Sequence, residues 1–117
     1  MPTEYVKHLS EPWFSLTKLS LKKVEGRLNK GSFKSMKKGD IIVFQNNDFG
    51  FDRSFKVIIT SKKMYDNFSD YLRKEKLERC LPGIDTMENG VNVYYKYFSK
   101  EDEQKYKVVA IRMRVKK

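Results

Sequence analysis

The sequence predicts an α+β domain, a small barrel of short strands with interspersed helices, and not a doubly wound parallel sheet. Three observations carry this. The chain ends on a two-residue alternation, with Val109, Ile111, Met113 and Val115 on one side and Ala110, Arg112, Arg114 and Lys116 on the other. Ile41-Ile42-Val43-Phe44 is a short unbroken apolar run, the pattern of a strand buried on both faces. Helix-start signals at Ser10-Glu11-Pro12 and Ser99-Lys100-Glu101-Asp102 fall between such runs without a regular strand–helix repeat.

Tyr5–Leu9 fits a short strand. Ser10, Glu11 and Pro12 then open a helix: a capping hydroxyl, an acid at the positive end and a proline tolerated in the first turn. Trp13, Leu16, Leu19 and Ser20 fall at helical spacing, so this helix is expected to reach about Leu21. Lys22–Arg27 fits a short strand around Val24, and Lys30–Met36 a turn of helix. Lys37-Lys38-Gly39-Asp40 is a turn signal that leads into the Ile41 strand, and Asn46–Gly50 is a loop. Phe55, Val57 and Ile59 alternate as another strand. Met64, Phe68, Tyr71 and Leu72 stand at i, i+4, i+7 and i+8, which places a second helix from near Lys63. Leu77–Leu81 continues it or adds a turn, and Pro82-Gly83 ends it. Gly90–Phe98 is ambiguous. Val91, Val93, Tyr95 and Tyr97 alternate like a strand, Val91, Tyr94, Tyr95 and Phe98 fit a helix, and propensity favours the strand. The capping pattern at Ser99 then starts a short helix before the final strand.

At 117 residues, with no repeat, low-complexity segment or Pro/Gly linker, one domain spanning 1–117 is expected. A 39% hydrophobic content suffices for a packed core. Cys80 is the sole cysteine, so no intramolecular disulfide and no paired-cysteine zinc site is available, which points to a reducing compartment. Met1-Pro2-Thr3-Glu4 does not resemble the start of a signal peptide, and no apolar run approaches a membrane span. A soluble, intracellular protein of cytoplasm or nucleus is the expectation.

Several chemistries lack their residues. His8 is the only histidine, and neither a nucleophile elbow, a Walker loop nor a dinucleotide fingerprint is present. One histidine and one cysteine do not furnish a zinc site. No cofactor and no metal is therefore expected, and no clean basic amphipathic helix argues for a membrane surface.

What remains is charge. The net charge is +10 and the isoelectric point about 9.7. Eight of the bases fall between Lys18 and Lys38, against a single acid, Glu25. A field this concentrated attracts phosphates and releases their counterions, and the nearby Trp13, Phe14 and Phe33 suggest RNA or single-stranded nucleic acid. Core burial outweighs stacking for Trp13 and Phe14, because large aromatics dominate core packing. Most lysines of the run are expected to be a solvated face. Glu25 either pairs with Lys22 or Arg27, or orients a guanidinium for bidentate contact. Arg112 and Arg114 read as an ordinary solvated strand face.

Ser20-Leu21-Lys22-Lys23-Val24-Glu25-Gly26-Arg27 resembles the GxKxxExR motif of ASCH domains, a branch of the PUA-like superfamily. Glu11-Pro12-Trp13-Phe14 before it, and Lys38–Ile42, Tyr65–Phe68, Leu81-Pro82-Gly83 and Val108–Val115 after it, are similar as well, so the resemblance covers nearly the whole chain. Ser20 stands where a glycine is usual. The resemblance implies a small PUA-like β-barrel with flanking helices and a basic cleft, proposed for the family to bind RNA. It also implies that Gly90–Phe98 is helical, starting near Thr86.

On this footing the candidate nucleic-acid contacts are Lys22, Lys23, Glu25, Arg27, Lys30 and Trp13. If the cleft performs chemistry, Lys22 and Glu25 are the candidate catalytic pair. An ASCH subgroup deacetylates N4-acetylcytidine with a Lys-Thr-Glu set. Its lysine matches Lys22, but its nucleophilic threonine falls at Glu25, and a carboxylate does not reproduce that ester-forming step. Three functions follow: a module binding RNA or a modified nucleotide, a hydrolase of RNA or of a modified nucleoside, and an interaction module whose basic face meets an acidic protein.

Overall fold

Five strands form a single sheet in the computed structural model, which describes residues Met1–Lys117. They are β1 (Glu4–His8), β2 (Val24–Leu28), β3 (Ile41–Asn46), β4 (Arg53–Tyr65) and β5 (Val108–Val115). Their order is β1-β3-β4-β5-β2. β1 runs parallel to β3 and every other pair is antiparallel. The sheet curls until its two edges approach, where Arg27 Nη2 of β2 donates to the His8 carbonyl of β1 at 3.0 Å. The fold is α+β, as the sequence predicts, and the barrel is a half-barrel open along that seam. Its helices are α1 (Trp13–Lys18), α2 (Ser32–Ser35), α3 (Phe68–Glu75), α4 (Leu77–Cys80), α5 (Met87–Tyr95) and α6 (Lys100–Tyr106).

β5 is the spine. Val108, Val109, Ala110 and Ile111 are all buried, so its first half is covered on both faces. The polar alternation takes hold only beyond, where the Arg112 guanidinium grips the Glu75 carboxylate of α3 through Nε at 2.9 Å and Nη2 at 2.7 Å. Arg112 is thus a bridge between sheet and helix, while Arg114 is exposed. Three helices start on side-chain caps: Asn67 accepts from Asp70 N, Thr86 Oγ1 from Asn89 N and Ser99 Oγ from Asp102 N. The Glu103 carboxylate of α6 accepts from Phe68 N and from the Tyr95 hydroxyl, both at 2.7 Å, and so ties α6 to α3 and α5. Phe68, Tyr94 and Phe98 stack between these helices.

One ambiguity is decided and two expectations change. Gly90–Phe98 is largely helix, as the resemblance implies and against propensity; the Thr86 cap sets the frame. The helix expected from Lys63 starts at Phe68 instead, because Lys62, Lys63, Met64 and Tyr65 pair with Ile111, Ala110, Val109 and Val108. The first helix stops at Lys18, not Leu21. Ser20 turns left-handed at φ 64°, and Leu19 and Leu21 project into solvent.

Candidate nucleic-acid interface

β2 carries the site because its side chains alternate about the seam. Glu25 is only 4% exposed, and it is held there by two cations. Lys22 Nζ lies 3.2 Å from its Oε1, and Arg27 Nε lies 2.6 Å from its Oε2. The Lys22 ammonium also donates to the Val24 and Cys80 carbonyls, each at 2.6 Å. Its three N–H groups therefore all have protein acceptors, and none is left for a phosphate. Burial pushes the Glu25 carboxyl up, but the Arg27 and Lys22 charges and their hydrogen bonds outweigh it and hold the group below its ordinary value. Glu25 is an ionised, acceptor-only group.

Arg27 retains free capacity. Nε goes to Glu25 and one Nη2 proton to His8, while the face of its guanidinium lies 4.9 Å from the Phe33 ring centre. The remaining N–H groups have no partner in the fold, and Arg27 lines the recess. Gly26, between the two charged residues, has the buried Tyr71 ring against it: a Cβ there would sit 2.5 Å from Tyr71 Cζ.

These residues floor a cavity of about 340 Å³. Its walls are aromatic, from Trp13, Tyr94, Tyr97 and Phe98, and aliphatic, from Leu9, Leu81 and Val93. Tyr94 is fixed from behind, stacked 4.5 Å from Phe68 and hydrogen bonded at 3.1 Å to Tyr71. Burial raises the Tyr94 hydroxyl well above its ordinary value, so it stays a neutral phenol. Tyr97 is 56% exposed and its hydroxyl meets Ser10 Oγ at 3.1 Å on the cavity wall.

Of the residues singled out from the sequence, the structure brings Trp13, Lys22, Glu25 and Arg27 to this cavity. Lys23 and Lys30 do not line it. Lys23 is exposed in a separate groove, and Lys30 lies over the Tyr106 ring at 4.9 Å. The basic run does not make one cleft: Lys22 is internal and Arg27, paired with Glu25, is the cation that retains unused N–H groups at the recess. Phe14 packs on Phe55 in the core, and Phe33 supports Arg27 and Lys7. Sequence reasoning did not nominate Leu81, Tyr94, Tyr97 or Phe98. The aromatic density of Tyr94-Tyr95-Lys96-Tyr97-Phe98 is the signal that was there to use. No three His, Cys, Asp or Glu side chains converge in a way that would hold a metal ion, and no helix is long and apolar enough to cross a membrane.

Comparison with known proteins places this geometry. A family model described as the ASCH domain matches residues 8–117. The crystal structure of hypothetical protein PH0355 superposes with a TM-score of 0.88 at 35% identity, covering 97% of this chain and 100% of that one. The solution NMR structure of protein PF0455 from Pyrococcus furiosus superposes with a TM-score of 0.78 at 36% identity, covering 97% of each chain. No curated protein matches the sequence significantly.

Proposed function

The chain belongs to the ASCH domain family, and from that membership we propose that it binds RNA by admitting one unstacked base, or a modified nucleoside, into the aromatic cavity. The observation that carries this is the pairing of an ionised, buried Glu25 with a partly free Arg27 beneath aromatic walls. A carboxylate only accepts and a guanidinium only donates. A ligand that satisfies both presents a donor beside an acceptor on a flat apolar body, as the hydrogen-bonding edge of a nucleobase does. At about 340 Å³ the cavity is near the lower end of small-molecule sites, a size suited to one base and not to a duplex.

The same inventory argues against proton transfer here. A carboxylate held low by two cations is a poor base, and an ammonium is already protonated and has all three N–H groups committed to internal acceptors, so it offers a substrate neither a base nor a free donor. Hydrolysis of RNA or of a modified nucleoside is therefore the second reading, and an acidic protein partner the third, since neither explains an aromatic recess.

Trp13 is the only tryptophan, so its fluorescence reports the cavity directly. Nucleosides and short single-stranded RNA should quench it saturably, and Arg27→Ala should weaken binding by about 1–3 kcal/mol. RNA binding that leaves Trp13 emission untouched and survives Arg27→Ala would refute the base-in-cavity reading.

A further inference from the structure

A second recess of about 200 Å³, also lined by Lys22, lies between the end of α1, the first half of β4 and the end of β5. Val57, Met113 and Val115 form its apolar floor, and Thr17, Ser20, Lys23 and Arg114 line its polar side. No carboxylate lines it. Lys23 and Arg114 are exposed and have no ion-pair partner in the fold, unlike Arg27, Arg53 and Arg112. The Lys23 backbone is nonetheless pinned, its N–H donating to the Arg79 carbonyl at 2.9 Å and its carbonyl accepting from Met113 N at 3.3 Å. A rigid main chain thus presents a free ammonium.

Ser20 adds an unused donor. Its φ of 64° is a conformation that glycine adopts freely and other residues do not. The turn ends α1, its Leu16 carbonyl accepting from Leu21 N at 2.9 Å and from Lys22 N at 3.1 Å, and it sets the Ser20 side chain beside the groove. No hydrogen bond within the protein employs the Ser20 hydroxyl, and the residue stands at the rim of this all-basic groove.

We propose that the groove of Ser20, Lys23 and Arg114 is a phosphate site that holds the backbone of the same nucleic-acid strand whose base enters the cavity. The inference deepens the proposed function and rests on it only for the identity of the strand. The two recesses share Lys22, and α1 places Trp13 in one and Thr17, a single helical turn further on, in the other. That turn rises about 5.4 Å, short enough for adjoining nucleotides to occupy both. The division of labour follows from chemistry: the cavity has one ion-paired guanidinium and apolar walls suited to a ring, while the groove has two unpaired cations and the free Ser20 hydroxyl, suited to a phosphodiester, the Thr17 hydroxyl being spent on the Trp13 carbonyl.

The test compares wild-type protein with Lys23→Gln/Arg114→Gln and with Ser20→Gly, using labelled single-stranded RNA at several salt concentrations and Trp13 quenching by free nucleosides. The double variant should lose on the order of tenfold in RNA affinity, and its logarithmic salt slope should shrink by about 1.4, two phosphate contacts on a single strand. Nucleoside quenching should be unchanged. Ser20→Gly should weaken RNA binding by roughly two- to threefold while raising the melting temperature, a combination that a purely structural role for the hydroxyl does not give. Unchanged RNA affinity and salt slope in the folded double variant, with RNA still quenching Trp13, would overturn the groove and leave the cavity reading intact. Absence of nucleoside quenching, with RNA binding still dependent on Lys23 and Arg114, would support the groove and sink the cavity. Groove-dependent binding to phosphatidylserine vesicles without RNA binding would overturn the proposal.

Discussion

Replacing Glu25 by glutamine tests the central electrostatic claim. The substitution keeps the shape and removes the charge. It leaves the Lys22 side chain, 1% exposed, with an ammonium no longer opposed by the carboxylate at 3.2 Å, and it deprives Arg27 of its partner at 2.6 Å. The glutamine oxygen still serves one cation, but its amide N–H groups then face the other. Removing one partner of a buried pair costs about 3–5 kcal/mol, and the retained oxygen favours the lower end. Against a total stability of about 5–15 kcal/mol that is a large share, equivalent to a fall in melting temperature of roughly 12 °C for a domain of this size. Urea denaturation followed by circular dichroism at pH 7 measures it. The pH dependence supplies a second reading. The folded-state value of Glu25 lies below its unfolded value, so its contribution is fully present above the unfolded value of about 4.3 and is lost as pH falls through the folded one. The gap between wild type and variant should therefore narrow in acid. Adding Lys22→Met to the glutamine variant should recover part of the loss, because the uncompensated charge goes with it. A difference below about 1 kcal/mol at pH 7, or a gap that widens toward acid, would refute the reasoning.

Gly26→Ala should destabilise the protein by about 1–3 kcal/mol or more, read from its melting temperature, since the new methyl meets the fully buried Tyr71 ring at 2.5 Å. Ser20→Gly should stabilise it by about 1 kcal/mol, seen as a higher urea midpoint with an unchanged slope. Burial pushes the Cys80 thiol up to about 11, so at pH 8 it should react with a disulfide reagent only when the fold opens, and the labelling rate should rise with urea in step with unfolding. Rapid labelling of the native protein would contradict that packing.

The strands whose neighbours agree with their local pattern were legible in the sequence. Ile41–Phe44 and the Val108–Val115 segment stand where alternation and apolar density place them. The errors came where a distant partner decided the outcome. Met64 shares helical spacing with Phe68, yet backbone pairing to Val109 extends β4 through it. Gly90–Phe98 is not an error: it satisfies both periods, the resemblance points to helix, and the Thr86 cap starts that helix. The site divides in the same way. Trp13, Lys22, Glu25 and Arg27 belong to one local stretch and could be named together. Leu81, Tyr94, Tyr97 and Phe98 reach the cavity through tertiary packing, Tyr94 and Phe98 stacked on Phe68, which no local pattern encodes. Nor does a run of positive charge reveal that Lys22 points inward to two carbonyls.

Arg27 closes a gap that the strand order leaves open. β1 and β2 are the two outer strands, and the unpaired backbone groups of such strands are templates for pairing with another molecule. Here the two margins face one another and one guanidinium sutures them, with Nε on Glu25, Nη2 on the His8 carbonyl and its plane on Phe33. A lysine, lacking the planar fork, cannot hold all three at once. The side chain proposed to meet the ligand is thus also the one that joins two strand edges, and substitutions at Arg27 call for affinity measurements at several protein concentrations, so that a loss of binding is separated from self-association at an unsutured margin.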